Sequence, residues 1–391
     1  MTTTAKPANS GPKLAPPPLN PPERLLMGPG PSNPDPRVLT ALGASPVGHL
    51  DPYFVELMDQ TMGALRNVYR TANHHTLPIS GTGSAGLEAI MLNVLEPGDS
   101  AVVAVTGYFG RRLAEMASRA GADVRTIEAG PGDIVDPIDL EKMLAARPAK
   151  VVAFVHVETT TGACQPIGPM VSVAHRYGAM VVMDCVTSLG GIPIDIDAMG
   201  VDAAGSCTQK CLGAPPGLGP ITVGPRAMAA VRSRKHKPHT WYLDLGLLFQ
   251  YWGEESGEKK RAFHHTAPIA AIYGMHEALR LVLDEGLEAR WARHTAAHNT
   301  LLRGLGRLGL SLFTPQANRC PTINVVNVPA GVDEAKVRSR LLTMGVEMGG
   351  GLGPLAGKVW RIGVMGFNAS DIRVERLIGS LDEALRAERK S

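Results

Sequence analysis

No stretch of the 391 residues reads as membrane-spanning, although 44% of them are hydrophobic. A chain of this kind can bury a sizeable core in about two domains. Its opening, "MTTTAKPANSGPKLAPPPLNPP" at 1–22, lacks the continuous apolar segment of a secretory signal and is rich in Pro, Ser and Thr, which predicts a flexible or extended arm. Cysteine is scarce. Cys164, Cys185, Cys207, Cys211 and Cys320 are too few and too scattered for a disulfide framework, so a reducing, cytoplasmic setting is expected. Net charge is also small, at +3, and commits the chain to no polyanion. The densest basic run, "RSRKHKP" at 232–238, lacks interleaved aromatics and reads as a solvated helix end rather than a nucleic-acid contact. There is no internal repeat and no coiled-coil heptad pattern.

What is present is alternation. Short apolar β-rich runs, "TLPIS", "SAVVAVTG", "KVVAFVHV", "MVVMDCV" and "AAGSC", alternate with helical patterns such as "LEAIMLNVLEPGD", "RRLAEMASRAGA", "LEKMLAARPA" and "MVSVAHRYGA". Such order predicts an α/β fold with a mostly parallel, doubly wound sheet through about residue 225. A long apolar helix is expected at 268–286. After it the pattern changes to a smaller α+β unit, giving an arm over 1–22, a large domain over 23–286 and a small C-terminal domain over 287–391.

In an open α/β sheet, ligands bind beyond the carboxyl ends of the strands. The residues expected there are Gly81 to Ser84, Tyr108 and Phe109, Thr159 to Thr161, Asp184, and Gln209 with Lys210. "GTGSAG" at 81–86 is formally G-x-G-x-x-G, but no carboxylate ends the next strand to hold a ribose, which weakens a dinucleotide reading. A phosphate cradle at a helix N-terminus and a plain tight turn both stay open. Asp184, after a strand buried on both faces, needs a cationic partner, either an internal salt bridge or a protonated ring nitrogen. Phe109 alone could be core, and Lys210 alone could be solvated. Together, a cradle, a ring stacker, a carboxylate and a lysine are the parts that hold pyridoxal phosphate. Lowering a lysine pKa from about 10.4 to about 7 takes roughly 4 to 5 kcal/mol, and the small, uncharged neighbours of Lys210 leave few carboxylates to oppose this. No metal site is expected: Cys207 and Cys211 form a lone C-x3-C, and the adjacent His264 and His265 point to opposite sides of any regular element.

"LLMGPGPSNPDPRVL", "SGTGSAGLEAIMLNVLEPGD", "TTTGACQPI", "MDCVTSLGG", "GSCTQKCLGAPPG", "HHTAPI", "GGGLGP" and "RIGVMG" resemble, in order and spacing, the alanine-glyoxylate and serine-pyruvate aminotransferases. These are class V, fold type I pyridoxal phosphate enzymes, and the likeness runs from about residue 24 to about 385. It implies that Lys210 carries the cofactor and shuttles the proton between substrate and cofactor in a ping-pong transamination through pyridoxamine phosphate. Asp184 would pair with the ring nitrogen, Phe109 would stack, and Thr159 would stand near the ring hydroxyl. Gly83, Ser84 and Gln209 would bind the phosphate. Thr266 would reach the phosphate of a neighbouring subunit, making the active site that of a homodimer. Arg361 would clamp the substrate carboxylate, and the segment around Gly28 and Pro29 would close over it.

Three positions depart from the family. Phe109 stands where tryptophan is common, Ser84 where some relatives have histidine, and Phe263 where relatives have a tyrosine that donates to the partner's phosphate. Alanine or serine as donor and glyoxylate or pyruvate as acceptor are the expected substrates, because no second arginine is apparent for a side-chain carboxylate. Aminoethylphosphonate or pyridoxamine transamination, or a lyase or desulfurase of the same fold, are the alternatives. A desulfurase needs a cysteine on a mobile loop, whereas Cys320 reads as the entry to a buried strand.

Overall fold

The structure, a computed structural model, describes residues 16–252 and 261–388. Residues 1–15 of the expected arm lie outside that range; 16–22 are exposed and without regular secondary structure. The strands in chain order are β1 (Leu25–Leu26), β2 (His75–Ser80), β3 (Ser100–Val105), β4 (Asp123–Glu128), β5 (Val151–Val155) and β6 (Met180–Asp184). They continue with β7 (Ala203–Gly205), β8 (Leu218–Val223), β9 (Ile323–Asn327), β10 (Val346–Glu347), β11 (Gly349–Gly350) and β12 (Val359–Gly363).

Seven of these form the central sheet, in the order β2-β8-β7-β6-β5-β3-β4. All its pairings are parallel except those of β8, which runs antiparallel to β2 and β7. Strands β5 and β6 are buried along their whole length, as expected where helices cover both faces. Two strands escaped the sequence reading. β4 is an edge strand whose residues are half polar, and β8 carries Gly219 and Pro220, residue types that ordinarily argue against a central strand. Pro220, which has no N–H to give the ladder, lies opposite Pro78 of β2, and its carbonyl accepts from Ser206 N–H and from the Tyr69 hydroxyl, each at 2.8 Å.

The helix Pro52–Tyr69 also escaped notice, although its signals are regular. Asp51 caps it by accepting from Tyr53 N–H, Pro52 opens it, and Phe54, Leu57, Met58, Met62, Leu65 and Tyr69 form one buried stripe. The basic run at 232–238 ends the helix Pro225–Arg232, and Arg234 turns inward to hold the carbonyls of Asn93 and Leu95 at the end of Gly83–Val94.

Two large apolar clusters divide the core. The first spans residues 54 to 287 around the central sheet; the second gathers residues 297 to 385 around the antiparallel set β11-β12-β9. The helices Ile269–Glu285 and Leu287–Arg307 meet at Gly286, whose φ of 81° suits glycine. Leu25 and Met27 belong to the second cluster, and β1 pairs in parallel with β10. The first residues of the 23–286 span therefore pack with the C-terminal unit rather than with the sheet. This places a strap from one unit beside the sheet ends of the other.

Candidate active site

The cradle is built by a close approach. Helix Gly83–Val94 begins directly beyond β2, its N-cap Thr82 making no side-chain capping bond, so the positive end of the helix faces the cavity without a protein cap. A Cβ on Gly83 would lie 2.7 Å from Cys207 Cβ and 2.9 Å from Ser206 carbonyl, so only glycine lets the helix start this near the loop after β7. Seven of the residues singled out above, Gly83, Ser84, Phe109, Thr159, Asp184, Gln209 and Lys210, line one cavity of about 290 Å3.

Each wall has a local cause. Phe109 sits in the first turn of helix Tyr108–Arg119, whose backbone N–H groups at Phe109 and Gly110 donate to Glu158 Oε2 at 3.0 and 3.2 Å. Glu158 is fully buried and also accepts from Thr160 N–H and the Thr160 hydroxyl, so one carboxylate fixes both the stacking helix and the loop that carries Thr159. The Thr159 and Thr187 hydroxyls lie 2.8 Å apart. Asp184, the last residue of β6, accepts from Val186 N–H at 2.9 Å; burial pushes its carboxyl up to about 6, against the opposing charges of Arg112 and Lys210. A ring bearing a protonated nitrogen suits that carboxylate.

Lys210 is held from both sides. Its amine donates to Pro29 carbonyl, and its own carbonyl accepts from the Ser32 hydroxyl at 3.0 Å. Behind it, Arg290 Nη2 donates to Cys211 carbonyl at 2.6 Å. Burial lowers the Lys210 amine below its ordinary value, and the Arg361 charge acts in the same direction. Gly30, at φ 113°, passes so near that a Cβ there would lie 2.1 Å from Lys210 Nζ. Gly28 lies one residue before that acceptor carbonyl, in the strap from β1. Arg361, on β12, is 8% exposed and donates from Nε to Gly350 carbonyl at 2.7 Å; its other N–H groups bond to no described residue. It lies outside the cavity lining, yet near enough for its charge to reach Lys210.

Phe263 and Thr266 are not brought into the cavity of their own chain. Both are exposed on the loop 261–268, which is tied to the end of β2 by a 2.6 Å contact of His265 Nε2 with the Ser80 hydroxyl. That loop has no regular structure, so the expectation that His264 and His265 point apart fails: their Nδ1 atoms lie 2.8 Å from each other. Among the described residues no group of three His, Cys, Asp or Glu side chains could hold a metal. Cys320 is buried in the short connection just before β9, burial pushing its thiol up, and contacts the Thr322 hydroxyl. That is a poor setting for a sulfur nucleophile.

The cavity is also lined by an arginine that the sequence did not single out, Arg112, whose Nη1 donates to Ser84 Oγ at 2.9 Å. The set of groups fits a small phosphorylated aromatic ring with a basic nitrogen. Comparison with known proteins decides the family. The family model described as "Aminotransferase class-V" matches residues 37–359. The chain belongs to the class V aminotransferases. It is 40% identical over 371 residues to an alanine–glyoxylate aminotransferase of Oryctolagus cuniculus, covering 94% of each chain. The crystal structure of an alanine–glyoxylate aminotransferase from Nostoc sp. superposes with a TM-score of 0.93 at 47% identity, covering 97% of this chain and 100% of that one. A ureidoglycine–glyoxylate aminotransferase from Bacillus subtilis gives 0.92 at 37%, covering 95% of each.

As a class V aminotransferase the chain has site residues that sequence reading missed. Arg112 lies three residues after Phe109 on the same helix, a spacing that places both on one face. Glu158, directly before Thr159, follows an apolar strand just as Asp184 does, and that signal was available. Ser32 and Arg290 act on the Lys210 turn from 178 and 79 residues away in sequence and had no local mark.

Proposed function

We propose that this aminotransferase uses pyridoxal phosphate to move the amino group of alanine or serine to glyoxylate or pyruvate. The observation that carries the reading is the convergence of Lys210, Asp184 and the Gly83–Ser84 cradle on one cavity. Bound there, the cofactor supplies an electron-accepting ring that lets an amino group exchange between an amino acid and a 2-oxo acid. Asp184 holds the ring nitrogen protonated, Phe109 lies against the ring, and Thr159 stands at the ring hydroxyl. Gly83, Ser84 and Gln209 hold the phosphate through N–H and O–H donors.

Lys210 would hold the cofactor through its aldehyde, and its lowered pKa suits its amine to moving the proton at the substrate Cα. Arg361 clamps the substrate α-carboxylate with the N–H groups its Gly350 bond leaves over. The strap at Gly28 and Pro29 covers the substrate. Small donors are supported by the relatives named above, two of which are alanine–glyoxylate aminotransferases.

The active site in this reading belongs to a homodimer. Phe263 and Thr266 are exposed, with His49 against Phe263 and Trp241 stacked on the adjacent His264, and Leu50, Tyr53 and Trp241 are large side chains at least 59% exposed, as suits contact with a second copy. A reducing, cytoplasmic setting goes with it, supported by five free cysteines. The deciding experiment follows the visible absorbance of the bound cofactor in single half-reactions. L-Alanine or L-serine should discharge it, and glyoxylate or pyruvate should restore it. Discharge by glutamate or aspartate alone would replace the substrate assignment. Dilution that dissociates the dimer should release cofactor, and full occupancy in a demonstrated monomer would remove the composite site.

A further inference from the structure

Charge in the cavity does not balance without one further residue. The side chains lining it include three that ionise, Arg112, Asp184 and Lys210. On the reading above, Asp184 is committed to the ring nitrogen and Lys210 to the cofactor aldehyde. The cofactor phosphate brings roughly two negative charges, while Gly83, Ser84 and Gln209 offer only neutral donors. A helix N-terminus adds the equivalent of about half a positive charge. Arg112 is thus the one lining side chain that stays cationic at every stage, because a guanidinium does not lose its proton in a protein.

Its placement agrees with its charge. Nη1 donates to Ser84 Oγ, inside the cradle, at 2.9 Å, and Cζ lies 4.5 Å from the centre of the Phe109 ring. Nε is buried and has no hydrogen-bond partner. A buried charged donor left without an acceptor is costly, and an anion at the cradle is the ligand that would satisfy it. The charge already reaches into the cavity, since it opposes the upward shift of Asp184.

We propose that Arg112 is a binding residue for the cofactor phosphate, its counter-ion at the Gly83–Ser84 cradle. The proposal rests on the pyridoxal phosphate reading of the site. It also gives Ser84 a purpose, as the hydroxyl that steers the guanidinium fork towards the phosphate.

The test separates charge from scaffolding by using two ligands. Cofactor-free wild type, Arg112→Gln, Arg112→Lys and Ser84→Ala are titrated with pyridoxal phosphate and with pyridoxal, which lacks the phosphate, following absorbance near the visible range. Arg112→Gln should weaken pyridoxal phosphate by about tenfold to hundredfold and leave pyridoxal unchanged, the size of a lost charge-assisted hydrogen bond. Arg112→Lys should recover part of that loss, and Ser84→Ala should show a smaller one. Equal weakening of both ligands, or no weakening, in Arg112→Gln would overturn the proposal. Thermal melts establish that each variant folds. Should Arg112→Gln not fold, Arg112→Lys decides alone: selective weakening of pyridoxal phosphate supports the role, and parallel weakening of both ligands removes it. Failure of the wild type to bind pyridoxal phosphate at all would instead overturn the underlying reading.

Discussion

The sheet side of the cavity and the side contributed by the C-terminal unit are built differently. On the sheet side Phe109, Thr159, Asp184 and Lys210 stand on or directly after buried strands, locked by Glu158, Thr187 and Val186 at 2.8 to 3.2 Å. On the other side a single side chain, Arg361, and a strap through Gly28 and Pro29 arrive from a separate apolar cluster. Cofactor holding therefore belongs to one rigid wall. Substrate holding spans two separate apolar clusters, the kind of boundary at which enzymes place closing steps.

That contrast can be broken at four points. Lys210→Ala should lower turnover by about a thousandfold or more and abolish the absorbance of lysine-bound cofactor; retained turnover would take Lys210 out of the chemistry. Arg361→Ala should cost the amino-acid substrate about 2 to 5 kcal/mol of binding, seen as a raised KM, with cofactor affinity unchanged. Loss of cofactor in that variant would mean the two sides are not separable.

Asp184→Asn tests the rigid wall through pH. In the cofactor-free protein the folded-state carboxyl titrates at about 6, above the ordinary value near 4, so its contribution is fully present below about pH 4 and lost as pH rises through 6. The burial therefore costs about 3 kcal/mol at pH 7. Asp184→Asn should raise the Tm of cofactor-free protein at pH 7 relative to wild type and flatten its change between pH 4 and 7, while weakening activity of the cofactor-loaded enzyme. An unchanged pH dependence of Tm would place the titration elsewhere. The smallest expected effect is that of Phe263→Tyr, which should tighten cofactor retention by up to about 1 to 3 kcal/mol where a phosphate oxygen lacks a partner. No change would mean that water already fills that place.

Legibility in the sequence followed the same divide. β3, β5 and β6 are short apolar runs between helical patterns, and the cavity residues Phe109, Thr159 and Asp184 stand at or just beyond their carboxyl ends, so strand ends could be read as site positions. β8 could not, because Pro220 and Gly219 sit where a strand signal is sought, and its pairing with β2 and β7 is long-range. Arg361 was found only through family likeness; nothing local in "VWRIG" distinguishes it from any strand arginine. Arg112 was missed because its partner, Ser84, lies 28 residues away on another helix. Long-range pairing of this kind leaves no periodic trace.

The bond from Lys210 amine to Pro29 carbonyl has a consequence for timing. A carbonyl accepting from an amine favours its ammonium form, so the same contact that positions Lys210 also raises its proton affinity, in opposition to the lowering by burial. Pro29 rides on a strap whose pairing partner is β10 in the C-terminal unit. A displacement of that unit would carry the strap and its carbonyl with it, and the proton affinity of the amine would change accordingly. Domain position and proton affinity are thereby linked through one main-chain oxygen.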